Sequence, residues 1–250
     1  MKIIISMDVE PDLHTKDFKG VIEGIPLFLG LLNQHNIKAT FFTTCDCIEK
    51  FPNFFKEFVK QGHEIALHGF THTRFDDLSF LEKEMQIKKS LGCFKKYLGI
   101  LPKGFRAPQH SIDEKTLFLL QKYHFKYDSS YTPFNIFQLI FFTNISTLKN
   151  FFTPVRKYFV RKNLLEIPTT SFLIPAVSLT FRIFPKFMLN VYFKILNLFY
   201  NEITIYFHSW DFIDGKSRIS KLFPKEKLIK NFEYILKLNK HAEFVTAMQI

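Results

Sequence analysis

Only three cysteines, Cys45, Cys47 and Cys93, occur in the 250 residues, too few and of the wrong parity for a disulfide framework. No window of about eighteen apolar residues runs unbroken, which argues against a spanning helix. The nearest approach, Ile167 to Phe181, is uncharged but is interrupted by Pro168, Pro175 and several hydroxyls. The opening "MKIIISMDVE" has an apolar run too short for the core of an export signal, and acids follow at once. It reads as a buried first strand, and the expected compartment is the cytoplasm. Lys and Arg outnumber Asp and Glu by 34 to 23, for a net charge of +11, which favours anionic partners. Yet there is no long basic run and no nucleic-acid motif, so nucleic acid is not expected among them.

No internal repeat and no linker divides the chain, and its length suits one large domain over residues 1–250. With 47% apolar and 23% charged residues the composition is that of a globular protein. The abundance of phenylalanine, 33 residues, reflects in part the base composition of a genome and carries no function by itself.

What is present is a rhythm. "KIIISMDVE" is a continuous apolar strand ending in carboxylates, and "EGIPLFLGLLNQHN" has amphipathic helix spacing with Leu27, Leu31 and Leu32 on one side. "IKATFFTT" is a second buried strand, rich in β-branched and aromatic residues. "FPNFFKEFVKQG" is a helix stopped at Gly62, and "HEIALH" is the third strand. Ser79 and Glu82 have capping-box spacing at the head of a helix that closes on Gly99. "KGFRAP" and "FKYDSS" are short strands around the helix "EKTLFLLQKYH", and "EITIYFHSWD" and "AEFVTAMQI" are later strands.

Such alternation predicts an α/β fold with a parallel sheet, open or closed into a barrel, with its chemistry at the carboxyl ends of the strands. Polar residues gather there: Asp8, Glu10, His68, His72, Arg106 and Asp128. From Phe134 to Phe199 the rhythm fails. That stretch is Phe-rich, broken by four prolines, and carries Arg156, Lys157, Arg161, Arg182, Lys186 and Lys194. Apart from "EIPTTS", which belongs with the barrel, it reads as an irregular insertion over one end.

Asp8 and Glu10 alternate along a strand and so point the same way. Two carboxylates there can divide cation binding from proton abstraction; a solvated turn is the alternative, because "EPD" has turn chemistry. His68 and His72 stand four apart around Gly69. A pair of this kind alone is more often structural or incidental than ligating, but a carboxylate from another strand end completes a donor set suited to zinc or a similar divalent ion. His208 ends a strand with Trp210 and Asp211 beyond it, as a reactive group or as a neutral core histidine. Arg106, between apolar flanks, is the partner an ionised carboxylate requires. Cys45 and Cys47, at the end of the second strand, are expected to pack near the site, and His63 to be structural.

The segments "SMDVEPD", "IKATFF", "FPNFFKEFVKQGHEIALHGFTH", "GFRAPQHSID", "YDSS" and "YFHSWDF" together resemble, in order, the motifs of the polysaccharide deacetylase family, the NodB homology domain of carbohydrate esterase family 4. The resemblance spans the chain apart from the Phe-rich region. It implies a distorted (β/α) barrel with fewer strands than the eight-stranded form. It also implies one divalent metal, zinc foremost, held by His68 and His72, with Asp8 as general base, His208 as general acid and Arg106 holding Asp8.

The first motif departs from the commonest form, because Val9 stands where that form has a metal-binding aspartate. The chain resembles a branch with Asp-x-Glu, which makes Glu10 the third ligand; an exchange of roles between Asp8 and Glu10 is the alternative. Gln109 replaces a frequent aromatic residue, but the family uses a backbone N–H there for the oxyanion. Trp210 is placed with Gln109 on the substrate side.

The activity implied is removal of an N-acetyl or N-formyl group from an amino sugar, in a glycan or a lipid-linked glycan intermediate. Rival readings are a hydrolase of another C–N bond, such as a small cyclic amide, and a non-catalytic glycan-binding relative. The Phe-rich, basic segment either covers the substrate or touches the membrane surface peripherally.

Overall fold

The alternation of β1 (Lys2–Val9) organises the molecule. Ile3, Ile5, Met7 and Val9 pack into one large core, whereas Ile4 joins a small cluster with Phe42, Ala66, Tyr127, Ile167, Val245 and Ala247. Successive side chains point to opposite faces of a strand. The large core therefore lies between sheet and helices, and the small cluster fills the inside of the curled sheet. Ser6, Asp8 and Glu10 continue the inner face that Ile4 begins. The computed structural model describes residues 1–12, 15–136, 153–214 and 222–250.

On one side β1 pairs in parallel with β10 (Glu202–His208), from Lys2 opposite Glu202 to Asp8 opposite His208. Its other side is shared: β11 (Glu243–Val245) takes Lys2 to Ile4, and β2 (Thr40–Thr43) takes Ser6 to Val9. The sheet continues through β3 (Glu64–Leu67), β4 (Gly104–Phe105), β5 (Tyr127–Asp128) and β7 (Leu164–Glu166), with β6 (Tyr158–Arg161) antiparallel at the edge. After β7 the chain crosses back towards β10: Thr170 N donates to Thr204 O at 3.3 Å and Tyr206 N to Ala176 O at 3.1 Å. This crossing narrows the gap between the sheet's two ends and gives the distorted barrel expected from the sequence.

The outer layer holds α1 (Ile25–Gln34), α2 (Cys45–Lys50), α3 (Pro52–Lys60), α4 (Phe80–Leu98) and α5 (Glu114–Lys122). Further along the chain come α6 (Ser178–Ile183), α7 (Lys186–Phe199) and α8 (Lys225–Leu238). The start and stop signals act as read. Ser79 and Glu82 form a reciprocal capping box on α4, and Gly99 closes it in the left-handed conformation at φ 73°. In α1 the buried face is Ile25, Phe28, Leu31 and Leu32; Leu31 and Leu32 lie on it as expected, whereas Leu27 is 46% exposed. Cys45 and Cys47 are buried but lie in α2, which begins two residues after the end of the strand they were assigned to.

The phenylalanines have a structural use. Phe28 of α1 lies 6.0 Å from Phe41, 5.7 Å from Phe207, 5.1 Å from Phe212 and 5.7 Å from Phe232, so one ring ties β2, β10, the loop after β10 and α8 together. Each such pair adds about 0.5–1.5 kcal/mol beyond the area it buries. The segment from Phe134 to Phe199 is more regular than its sequence suggests. It supplies two strands of the main sheet, the hairpin of β8 (Ser171–Phe172) and β9 (Ile174–Pro175), and α6 and α7. Residues 137–152 of it lie outside the described residues.

Candidate active site

The inner face of the sheet collects its polar side chains at the strands' carboxyl ends. Asp8 closes β1, Glu10 lies just beyond it, His68 follows β3, Arg106 follows β4 and His208 ends β10. Asp8, Glu10, His68 and Arg106 are all buried. Val9 points the other way into the large core.

Arg106 is wholly enclosed, and each of its three nitrogens donates a hydrogen bond. Nε donates to Ser129 O at 2.9 Å, Nη2 to Ser129 Oγ at 2.9 Å, and Nη1 to Asp8 Oδ1 at 2.7 Å and Ser6 Oγ at 3.3 Å. Its guanidinium also lies 4.0 Å from the centre of the Phe42 ring and 5.2 Å from that of Tyr206. Burial works to raise the pKa of Asp8, but Arg106, with His68 and His208, holds the carboxyl below its ordinary value. Asp8 is thus an ionised carboxylate pinned by one oxygen.

His68 Nδ1 lies 2.8 Å from Arg106 O. A carbonyl can only accept, so Nδ1 carries a hydrogen and Nε2 is the ring atom turned toward the carboxylates. Glu10 Oε2 lies 3.5 Å from His68 Nε2 and closer still to His72 Nε2, and it is buried without accepting a hydrogen bond. One ligand atom from each of Glu10, His68 and His72 falls within 4.8 Å of the others. Two imidazoles and a carboxylate so arranged can hold a divalent metal, and the orphaned Glu10 oxygen fits that occupant. Burial would raise Glu10, but the two imidazoles bring its pKa down to about 2. Gly69, between the histidines, has φ +92°, and a Cβ there would meet Thr71 O at 2.7 Å; only glycine makes the turn that folds His72 back over His68.

Across the site, burial lowers and Asp211 raises the pKa of His208, and the raising influence wins, to about 9. Asp211 Oδ2 accepts the His208 backbone N–H at 2.7 Å and faces its Nδ1 at 3.5 Å. Trp210 stacks flat on the imidazole, with centroids 4.5 Å apart and planes 12° from parallel. Arg182 of α6 donates to Asp211 O at 2.5 Å and to Phe223 O at 2.7 Å, holding the loop from behind. Gly24, where α1 begins, meets the same loop: a Cβ there would lie 2.2 Å from Ser209 O.

Gln109 has an exposed side chain and a left-handed backbone at φ 53°, and His110 follows at φ 56°. Two such residues in succession cost about 1–3 kcal/mol each and turn the segment's backbone beside the site. His110 Nδ1 lies 2.9 Å from Ser130 O, and burial lowers its pKa to about 4, so the ring is neutral.

The fold thus brings together Asp8, Glu10, His68, His72 and Arg106, with His208 and Trp210 at the facing strand end and Gln109 on the adjoining loop. Asp128 stands apart. It pairs with Phe105 and with Glu166, on the face opposite Arg106. His63 is scaffold: its buried Nδ1 accepts the Ala39 N–H at 3.1 Å. Sequence reading gave no role in the site to Ser6, Asp211 or Arg182. The parity of Ile4, Ser6 and Asp8 could have revealed the first, and the three-residue spacing from His208 the second. Arg182 comes from a region with no readable period.

Residues 19–127 match the family model described as polysaccharide deacetylase. The match covers less than half of the chain. A peptidoglycan deacetylase of Helicobacter pylori is 32% identical over 134 residues, covering 52% of this chain and 45% of that protein. A peptidoglycan-N-acetylglucosamine deacetylase of Bacillus cereus is 34% identical over 116 residues, covering 46% and 39%. The matched stretch is therefore less than half the length of these two relatives. In fold, the chain is similar to a family 4 carbohydrate esterase from Streptomyces lividans, with TM-score 0.57 at 14% identity over 98% of this chain and 91% of that one. It is similar also to the Puue allantoinase, with TM-score 0.70 at 15% identity over 99% and 88%. At these identities the likeness is one of fold.

Proposed function

We propose that the chain is a hydrolase that removes an N-acetyl or N-formyl group from an amino sugar, in a glycan or a lipid-linked glycan intermediate, with one divalent metal, zinc foremost. The observation that carries this reading is the arrangement of three groups at one sheet end. Glu10, His68 and His72 form a donor set, Asp8 is held ionised by Arg106, and His208 stands opposite with Asp211 behind it. The polysaccharide deacetylase match supports the same reaction class.

A metal held by Glu10, His68 and His72 supplies Lewis acidity, polarising an acyl carbonyl and making water a better acid. Asp8 accepts the proton of the attacking water; with Oδ1 given to Arg106, its Oδ2 is left for that proton. The two carboxylates divide these tasks because Glu10 faces both imidazoles and Asp8 faces the guanidinium. The backbone N–H of Gln109 is assigned to the oxyanion. His208, protonated up to about pH 9, gives its proton to the departing amine nitrogen, which otherwise would have to leave as an anion. Trp210 keeps the imidazole in plane and offers an apolar surface beside it.

Metal analysis and acetate release on N-acetylglucosamine oligomers test the assignment together. Wild type should carry metal and release acetate, His68→Ala should lose metal, and Asp8→Asn should keep metal while activity falls by about 10²–10⁴-fold. An Asp8→Asn protein without metal beside a Glu10→Gln protein with it would reverse the two roles. A metal-loaded wild type that ignores amino sugars and opens a cyclic amide would replace the substrate class.

A further inference from the structure

From Ser129 to Asn201 the chain has eight lysines and arginines and a single acid, Glu166. Glu166 is 0% exposed. Every charged side chain this stretch can show to solvent is therefore positive, whereas the rest of the chain mixes signs.

On this basic ground α7 presents two faces. Leu189, Tyr192, Phe193 and Leu196 are buried against the barrel. The opposite stripe is exposed and apolar: Phe187 at 70%, Val191 at 56% and Leu198 at 80%, with exposed Lys194 between the last two. These positions follow the i, i+4, i+7, i+11 spacing of one helix face and span about 17 Å. The stripe continues beyond the helix. Phe199, 50% exposed, stacks on Phe172 at 5.0 Å, and Leu173 protrudes from the hairpin tip at 61% with φ 59°. Arg156 donates to Phe199 O at 2.9 Å from the neighbouring strand's approach. The ridge is fixed in place, because Tyr192 Oη donates to Ile174 O at 2.7 Å and Tyr200 Oη to Ser171 O at 2.5 Å.

We propose that this ridge docks the protein on an anionic phospholipid surface. Phe187, Val191 and Leu198 enter the boundary between headgroups and acyl chains, and Lys186, Lys194 and Arg156 meet lipid phosphates. An amphipathic helix lying in the interface plane gains from buried apolar area and from anionic lipid together. Both terms are present, and among the described residues no helix is long and apolar enough to cross the bilayer. Charge decides against a second copy as the occupant: a two-fold contact would set Lys194 and its neighbours against the same cations. The proposal goes beyond the deacetylase reading and does not depend on it, because binding is read without substrate or metal.

Co-sedimentation of the full chain with phosphatidylcholine vesicles, with and without phosphatidylglycerol, is the test. Binding is expected only with the anionic lipid and should weaken as salt rises. Lys194→Glu should cut the partition coefficient by about tenfold or more. The combined change Phe187→Ser, Val191→Ser, Leu198→Ser should abolish binding, while the far-ultraviolet dichroism and melting temperature show an intact fold. Absence of binding at low salt overturns the proposal, as does binding that the triple variant leaves unchanged. Concentration-dependent dimerisation that the triple variant abolishes, without lipid binding, assigns the ridge to a second copy instead. Loss of acetate release with vesicle binding intact would strike only the enzymatic reading.

Discussion

Two pairs of buried carboxyl groups stand in one sheet and are in opposite states. Asp8 and Glu10 occupy the inner face at the end of β1, and both have depressed pKa values. Asp128 and Glu166 lie opposite each other on β5 and β7, and both have raised values. All four are 3% exposed or less, and burial by itself raises every carboxyl. The difference is therefore in the partners. Asp8 has a guanidinium and Glu10 has two imidazoles. Asp128 accepts a hydroxyl from Ser130 at 2.6 Å but has no cation, and Glu166 accepts the Tyr131 N–H at 3.1 Å, each facing the other acid with the oxygen left over. Burial keeps protons where no cation is supplied. An ionised acid belongs to a site, and a protonated one to the scaffold.

The largest break in this contrast is Arg106→Ala. It would leave Asp8 buried without the guanidinium that pins it, and removing one member of a buried pair costs about 3–5 kcal/mol. The melting temperature should fall steeply, and acetate release should be lost with it. Adding Asp8→Asn to an Arg106→Met background removes the stranded charge, so stability should largely return while activity does not. If the single and double variants melted alike, the ion pair would not be what holds this corner.

A smaller break is expected at His208. Asp211→Asn removes the nearest carboxylate, so the imidazole pKa should move down from about 9 towards its ordinary value. A histidine whose folded pKa is raised gives stability that is complete below its ordinary pKa and is lost as pH rises through the folded value. The variant should lack that alkaline loss. The high-pH limb of the pH–rate profile should also shift to lower pH, with about threefold less activity at pH 8.5 for the first unit moved and about tenfold for each unit after it. A limb that stays in place would show that another group donates the proton.

Period-two alternation and strand-end chemistry made most of the inner face legible from sequence. "KIIISMDVE" places Asp8 and Glu10 on one side and Val9 on the other before any coordinate is known. "HEIALHGFTH" yields its turn because Gly69 must adopt a conformation that side chains resist. The Phe-rich stretch was illegible for a physical reason. Its strands run two to four residues, and its aromatic residues serve buried faces and the exposed ridge alike, so composition cannot separate them. Asp128 was legible as a strand-end acid and still misleading, because the face it takes depends on a register with Phe105 that neighbouring strands set.

The finest contrast is Glu166→Gln, which should change pH dependence and little else. In the wild type the folded chain keeps a proton on Glu166 that the unfolded chain gives up above the ordinary carboxylate range. A carboxyl with a raised folded pKa gives stability that is complete below its unfolded pKa and falls as pH rises towards the folded value. Glutamine stays neutral throughout; its carbonyl can accept from Tyr131 N and its amide can donate to Asp128. The variant should match wild type near pH 4 and be the more stable of the two at pH 8 in urea unfolding. Asp128 retains its own raised value by burial, so part of the slope should survive until Asp128→Asn is added. Because neither acid faces Arg106's side of the sheet, acetate release should stay within about twofold of wild type in both variants. A Glu166→Gln protein less stable than wild type at pH 8 would mean that the pair is ionised and held by a cation. The two ends of the sheet would then not differ in the way their partners indicate.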